Sequence, residues 1–171
     1  PMPPSFMPTL YKNDAGFYET DLISDILSRG NSSRLLQTLV KEQKLFSEIN
    51  AYITSSIDPG LFVVEGKPVL GVSLEDAEKA VWLELEKLKN EAISDDELTK
   101  VKNKMESTMV FSELSLLDKA MNLAYFELLG DGNLLNEEIA NYLKVSADDI
   151  KKRSKEIFKR ENASVLYYSP N

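Results

Sequence analysis

Apolar side chains recur along this chain with two different periods, and the period separates the predicted helices from the predicted strands. From Phe17 to Leu27 they recur at helical spacing, and the pattern ends at Gly30, a residue common just beyond a helix. The polar run 31–33 then offers side chains that can cap a second helix, which is predicted to continue to Val40.

Two strands are predicted next. Residues 47–55 are rich in β-branched and aromatic side chains, which favour strands. The same residue types return from Leu61 to Val64 and occur less regularly from there to Leu70. The sequence Ile57-Asp58-Pro59-Gly60 between them is a turn signal. We therefore predict an antiparallel hairpin.

Helical periodicity dominates the second half. Ser73 with Asp76 and Ser94 with Glu97 have the spacing of capping boxes, and each pair opens a predicted helix. The helix after Ser73 places one apolar stripe on Leu74, Ala77, Val81, Leu85, Leu88 and Ala92. As a single helix, residues 95–129 would span roughly 50 Å, so a break is predicted near residues 112–115.

The remaining elements are a short helix around 134–143, a final helix capped by Ser146 with Asp149, and a closing strand at 163–168. A hairpin with segregated helices is typical of an α+β domain, in which an antiparallel sheet has helices packed on one face. Because no linker or repeat appears, residues 1–171 are predicted to form a single domain. We expect a C-terminal fragment of a larger two-domain protein, with its first strand truncated before Pro1.

Composition excludes several function classes. The net charge of −8, from 28 acidic and 20 basic residues, argues against a nucleic-acid-binding protein. No apolar run approaches the roughly 20 residues of a membrane span. The absence of histidine and cysteine removes the commonest general base and the commonest zinc ligands. The sequence therefore predicts no metal-binding and no catalytic residue in this chain.

The segment from Gly30 to Arg34 is the strongest candidate binding site. Free backbone N–H groups at a helix start, together with the guanidinium of Arg34, can hold a carboxylate or phosphate. The same residue types are expected where one helix ends and the next is capped, and we favour that structural interpretation. The candidate substrate contacts are Asn31, Ser32, Ser33 and Arg34.

Three weaker features have structural alternatives. Glu65 is either a buried acid or a residue on an outward strand position, and we favour the latter. The sequence 131–133 lacks the further ligands of a calcium loop, so a calcium site is rejected. Methionines and aromatic residues of the long helical stretch could line a groove, but core packing is favoured. They are Met105, Met109, Phe111, Met121, Tyr125 and Phe126.

The order of helix, GNSSRL turn, helix and strand resembles the C-terminal domain of the pitrilysin/insulinase family of zinc peptidases, which includes the mitochondrial processing peptidases. The similarity is strongest over residues 26–49, ILSRGNSSRLLQTLVKEQKLFSEI. Further similar segments follow in the family's order and span nearly the whole chain. They are residues 56–64, 93–107, 145–158 and 165–170.

The resemblance implies a division of labour between two homologous domains. In such peptidases an H-x-x-E-H motif in the N-terminal domain holds zinc, and its Glu activates water. The C-terminal domain has the same fold without zinc and forms the opposite wall of an enclosed chamber. The resemblance thus implies no cofactor in this chain, zinc in the missing N-terminal domain, and two partners: that domain and a peptide or unfolded polypeptide.

Two positions depart from the family pattern. The family often has an Arg and a Tyr where this chain has Val40 and Ser47. Those groups can help to hold the substrate and stabilise the tetrahedral intermediate, and losing such a donor costs roughly two to three powers of ten in rate. An alternative hypothesis therefore stays open: a catalytically inactive relative that acts as a structural or protein-binding subunit.

Overall fold

A three-stranded antiparallel sheet with the order β1-β3-β2 organises the computed structural model, which describes residues 5–8, 16–54, 60–112 and 114–168. The strands are β1 (Ser5–Pro8), β2 (Phe46–Ile53) and β3 (Leu61–Pro68). The predicted hairpin of β2 and β3 is confirmed. Most of its predicted turn lies outside the described residues.

Strand β1 is absent from the sequence predictions. It is four residues long and contains a proline, which strands tolerate at edges and ends. It pairs with β3, with Ser5 opposite Val64. The expectation that a first strand is truncated before Pro1 stays a prediction.

The helices are α1 (Phe17–Ser28), a π-helical segment (Leu36–Glu42), α2 (Leu74–Asn90), α3 (Asp95–Ser112), α4 (Leu116–Leu128), α5 (Leu134–Lys144), α6 (Ala147–Ile157) and a 3-10 turn (Arg160–Asn162). The core lies between one face of the sheet and these helices. From β3, Phe62 and Val64 point into it, and alternation places Val63 and Glu65 on the opposite face. This confirms the α+β arrangement with helices on one face.

Local capping signals are confirmed. The hydroxyls of Ser73, Ser94 and Ser146 each accept a hydrogen bond from the N–H three residues later, at 3.1 to 3.2 Å. The Ser146 N–H also donates to Asp149 at 2.9 Å, which completes a reciprocal box. The long helical stretch breaks between α3 and α4, as predicted.

The predicted closing strand at 163–168 is wrong. Only Ser164 forms a β-bridge, and the chain is tied to α2 by side chains instead. The Tyr167 hydroxyl donates to Glu78, and the guanidinium of Arg160 lies 4.8 Å from the ring centroid of Trp82. The Tyr167 contact holds the segment against α2, and Arg160 fixes the turn that precedes it.

Two packing expectations also fail in part. In the α2 stripe, Ala92 lies beyond the helix and is exposed, and Ile93 is buried in its place. In the long helical stretch, Met105 and Phe126 are buried, but Phe111 and Met121 are 70% and 62% exposed. Periodicity identifies an apolar face but does not say what covers it.

No helix among the described residues is long and apolar enough to cross a membrane.

The turn into β2 places a lysine in a backbone conformation that favours glycine. Lys44 has φ of +54°, in the left-handed region. For a residue with a Cβ, that region costs roughly 1–2 kcal/mol. Lys44 is exposed, so its side chain can be removed without loss of packing.

We predict that Lys44→Gly raises the free energy of unfolding by about 0.5–1 kcal/mol, because relief of strain exceeds the entropy that glycine adds to the unfolded chain. Urea unfolding measures the change. The neighbouring Gln43→Gly is the matched control, since Gln43 has φ of −82° and should lose stability instead. Equal effects of the two substitutions would contradict the strain at Lys44.

Candidate functional site: the turn after the first helix

Gly30 gives the turn after α1 its shape. Its φ of +93° lies where residues with side chains are strained. A Cβ at this position would also lie 3.1 Å from the ammonium of Lys104. The Ser33 N–H donates to the Gly30 carbonyl at 3.1 Å and closes the turn.

The exposed residues of the turn, Asn31 and Ser32, are held by side chains of the same chain. The Asn31 carbonyl accepts hydrogen bonds from Gln37 Nε2 at 2.5 Å and Lys41 Nζ at 2.7 Å. The Ser32 hydroxyl accepts one from Lys100 of α3. A ligand that contacts Asn31 or Ser32 would therefore lie close to the ammonium groups of Lys41 and Lys100.

The predicted side-chain capping by residues 31–33 is wrong. No side chain caps the π-helical segment at its start. Ser32 instead receives the ammonium of Lys100, and the Ser33 hydroxyl is buried with no hydrogen-bond partner among the described residues. The turn is closed by its backbone, so these hydroxyls are not needed as caps.

Arg34 is committed to a carboxylate of its own chain. Its Nε lies 2.9 Å from Glu97 Oε1, and its Nη2 lies 2.7 Å from Glu97 Oε2. The two side chains are 19% and 24% exposed, so the fork is only partly screened by solvent. Hydrogen bonding to Glu97 raises the pKa of the Arg34 guanidinium. The pair ties the turn to the first turn of α3.

The accessible positive charge at the turn therefore comes from three lysines, none of which the sequence analysis identified. Lys41, Lys100 and Lys104 are exposed. Glu97, Lys100 and Lys104 are spaced three and four residues apart, which puts them on one helical face. That spacing is visible in the sequence. Their position beside Gly30 is not, because about 70 residues separate them from the turn.

A buried carboxyl group lies at the end of α1. Asp25 is 5% exposed and accepts hydrogen bonds from Arg29 Nη1 at 3.2 and 3.3 Å. Burial raises its pKa to about 6, against the opposing effect of Arg29. The site thus contains an acid that titrates close to neutral pH.

The positions that depart from the family pattern offer no donor to a ligand. Val40 is half-buried and packs against the core. Ser47 is exposed on β2, but its hydroxyl donates to the Lys67 carbonyl at 3.0 Å. Their effect on substrate positioning stays a prediction, as do the substrate contacts of the turn.

Known proteins are similar to this chain over most of its length. Residues 5–105 match the family model described as the peptidase M16 inactive domain. A curated relative, the zinc protease PqqE of Helicobacter pylori, is 27% identical over 152 residues, which cover 88% of this chain and 34% of that protein. The chain thus spans about a third of this relative.

Solved structures share the fold. A protease from Helicobacter pylori superposes with a TM-score of 0.92 at 22% identity, covering 99% of this chain and 41% of that one. An inactive peptidase domain from Bordetella parapertussis superposes with a TM-score of 0.87 at 21% identity, covering 100% of this chain and 94% of that one. The second comparison shows a chain of about this length with the same fold.

The residues of this chain do not fit a zinc site. Zinc sites in proteins use histidine, cysteine and carboxylate ligands, and the sequence has neither of the first two. Within the described ranges, no group of three or more His, Cys, Asp or Glu side chains is placed to hold a metal ion.

At residues 131–133, where a calcium loop was rejected, the Asp131 carboxylate accepts a hydrogen bond from the Asn133 N–H at 2.8 Å. This carboxylate therefore closes a local turn.

We predict that Arg34→Lys lowers the free energy of unfolding by about 1 kcal/mol, because lysine cannot form the two-pronged contact with Glu97. Urea unfolding of Arg34→Lys, Glu97→Gln and the double variant measures their coupling. The double variant should lose less than the sum of the single losses. Lys79→Gln, at an exposed ion pair, is the control and should change stability by less than about 0.5 kcal/mol. Additive losses would show that the Arg34 contact is not energetically coupled.

We predict that Asp25→Asn becomes increasingly stabilising as pH rises. The folded pKa of about 6 lies above the ordinary value of 3.8, so the wild-type chain loses about 3 kcal/mol between roughly pH 4 and pH 6 as this group ionises. The variant lacks this loss. Urea unfolding of both proteins from pH 4 to pH 8 measures the difference. Arg29→Met should extend the wild-type loss to higher pH, and a difference independent of pH would contradict the buried acid.

Proposed function

Because the chain belongs to the family of peptidase M16 inactive domains, we propose that it is the C-terminal half of a zinc-dependent peptidase, opposite a zinc-binding N-terminal domain. In this role it forms one wall of a peptide-cleaving chamber and positions the substrate. The observation that carries the proposal is the match of nearly the whole chain to less than half of a Helicobacter pylori protease.

The proposed contribution of this chain is binding and orientation. Zinc held by the other domain would supply the activation of water. On this chain, Asn31 and Ser32 are the exposed members of the candidate contact set, whereas Ser33 is buried and Arg34 is half-buried. Lys41 and Lys100 add positive charge that can attract a peptide carboxylate, or donate a hydrogen bond to a peptide carbonyl that fixes its orientation. The substrate class we propose is a peptide or an unfolded polypeptide.

The alternative of an inactive structural or protein-binding subunit is favoured by one observation. The two positions where the family often has an Arg and a Tyr are Val40, which packs on the core, and Ser47, which bonds to its own hairpin. Under this alternative the chain would bind the zinc-binding domain without increasing cleavage.

Peptide cleavage by the zinc-binding domain, with and without this chain, separates the two roles. We expect no zinc-dependent cleavage by the 171 residues alone. Their addition should raise kcat/KM at least tenfold. Lys100→Glu should raise KM with little change in kcat, because it acts on binding. Lys159→Glu makes the same charge change on another exposed lysine and is the control.

An unchanged kcat/KM on addition of the chain would favour the structural subunit. Zinc-dependent hydrolysis by the purified 171 residues would overturn the division of labour itself. Equal KM values for Lys100→Glu, Lys159→Glu and the wild type would remove the turn from the substrate-binding surface.

A further inference from the structure

Helix α4 carries its apolar side chains on the outside. Phe126 is its buried residue, and Asn122 and Tyr125 are half-buried. Its large exposed apolar residues are 44% to 86% exposed. They are Leu116, Leu117, Met121, Leu123 and Leu128. A helix on the surface of a globular domain normally has the opposite arrangement, with polar residues outward.

The end of α3 and the turn that leads into α4 carry three more exposed apolar residues. Val110, Phe111 and Leu114 are 53%, 70% and 77% exposed. Together with the five residues of α4 they form what we call the α4 surface. It holds eight of the fifteen large apolar residues that are exposed in the described part of the chain. Soluble monomers rarely expose contiguous apolar patches of more than a few hundred Å2, and larger patches mark interaction sites.

Helix α4 contributes one buried side chain, Phe126, to the packing of its own domain. A cavity of about 260 Å3 lies between α3, α4 and α5, with Met109, Asn122, Phe126 and Leu135 among its lining residues. A helix with one buried side chain gains little of the burial energy that holds a helix in place. A partner that covers the outer face would supply the missing burial.

Charge around the surface selects the kind of partner. From the start of α4 to the turn that follows it, the exposed charged residues are Asp118, Glu127 and Asp131 against Lys119. A second copy would bring acidic rims together on chains that each carry a net charge of −8, which opposes association. The fitting partner has an apolar centre and a basic rim.

We infer that the α4 surface is the docking site for the zinc-binding domain of the parent protein. This inference rests on the proposed function. The Helicobacter pylori relative is about three times as long as the matched segment, so most of such a protein is available to cover this face. Phe111, Leu117 and Met121, which are 62% to 70% exposed, are the proposed apolar anchors. A stable interface of standard size buries roughly 800 Å2 on each side.

Titration calorimetry of this chain with the separately produced zinc-binding domain tests the docking site. Leu117→Lys and Met121→Lys should each weaken binding at least tenfold, because each places a charge in an apolar contact. Leu83→Lys and Leu70→Lys make the same change at residues 64% and 104% exposed outside the surface, and should bind as the wild type does. Urea unfolding verifies that all four variants are folded.

The outcomes separate this inference from the proposed function. If Leu117→Lys and Met121→Lys bind as tightly as the wild type, the α4 surface is not the docking site, even when addition of the chain raises cleavage. If they bind weakly but the wild-type complex cleaves no faster, the docking site stands and the proposed function fails. A failure of the wild-type chain to bind overturns the inference. Sedimentation of the chain alone tests for a dimer. A dimer that Leu117→Lys dissociates would assign the α4 surface to a second copy and would overturn the inference.

Discussion

The packing of α1 onto the hairpin is the interaction on which the remaining structure depends. Leu22, Ile23, Ile26 and Leu27 are at most 1% exposed, and each buried side chain of this kind contributes roughly 1.5–3 kcal/mol. The Ser28 hydroxyl donates to the Ala51 carbonyl of β2 at 2.6 Å and fixes the end of the helix against the sheet. Where α1 ends, the chain must turn, and the candidate site is that turn.

The charged groups around the turn serve structure first. Glu97 holds Arg34 and Lys100 holds the Ser32 hydroxyl, so α3 is attached to the turn after α1 by polar contacts. Lys41 of the π-helical segment holds the Asn31 carbonyl. In the proposed role, these contacts would keep the turn in one conformation against which a peptide is oriented.

Helix α4 is the place where local sequence and overall fold disagree. Natural sequences are largely consistent between local pattern and global burial, and their exceptions concentrate at functional sites. Here a well-formed helix, capped by Ser115, has its apolar face in solvent and a cavity beneath it. If the zinc-binding domain covers the outer face of α4, as we infer, its apolar residues are buried in an interface between domains and not in the core of this one.

The sequence by itself determined the elements whose causes are local. The hairpin, the end of α1, and the serine caps at Ser73, Ser94 and Ser146 follow from residues within a few positions of one another. The short strand β1 escaped prediction because its pairing with β3, and not its four residues, makes it a strand.

The tertiary structure decided which residues far apart in the sequence are in contact. It brought Glu97 to Arg34 over 63 positions, turned the predicted closing strand into a segment held on α2, and left Phe111 and Met121 uncovered. Periodicity records which side of a helix is apolar, whereas burial depends on a neighbour that only folding, or a second domain, can supply.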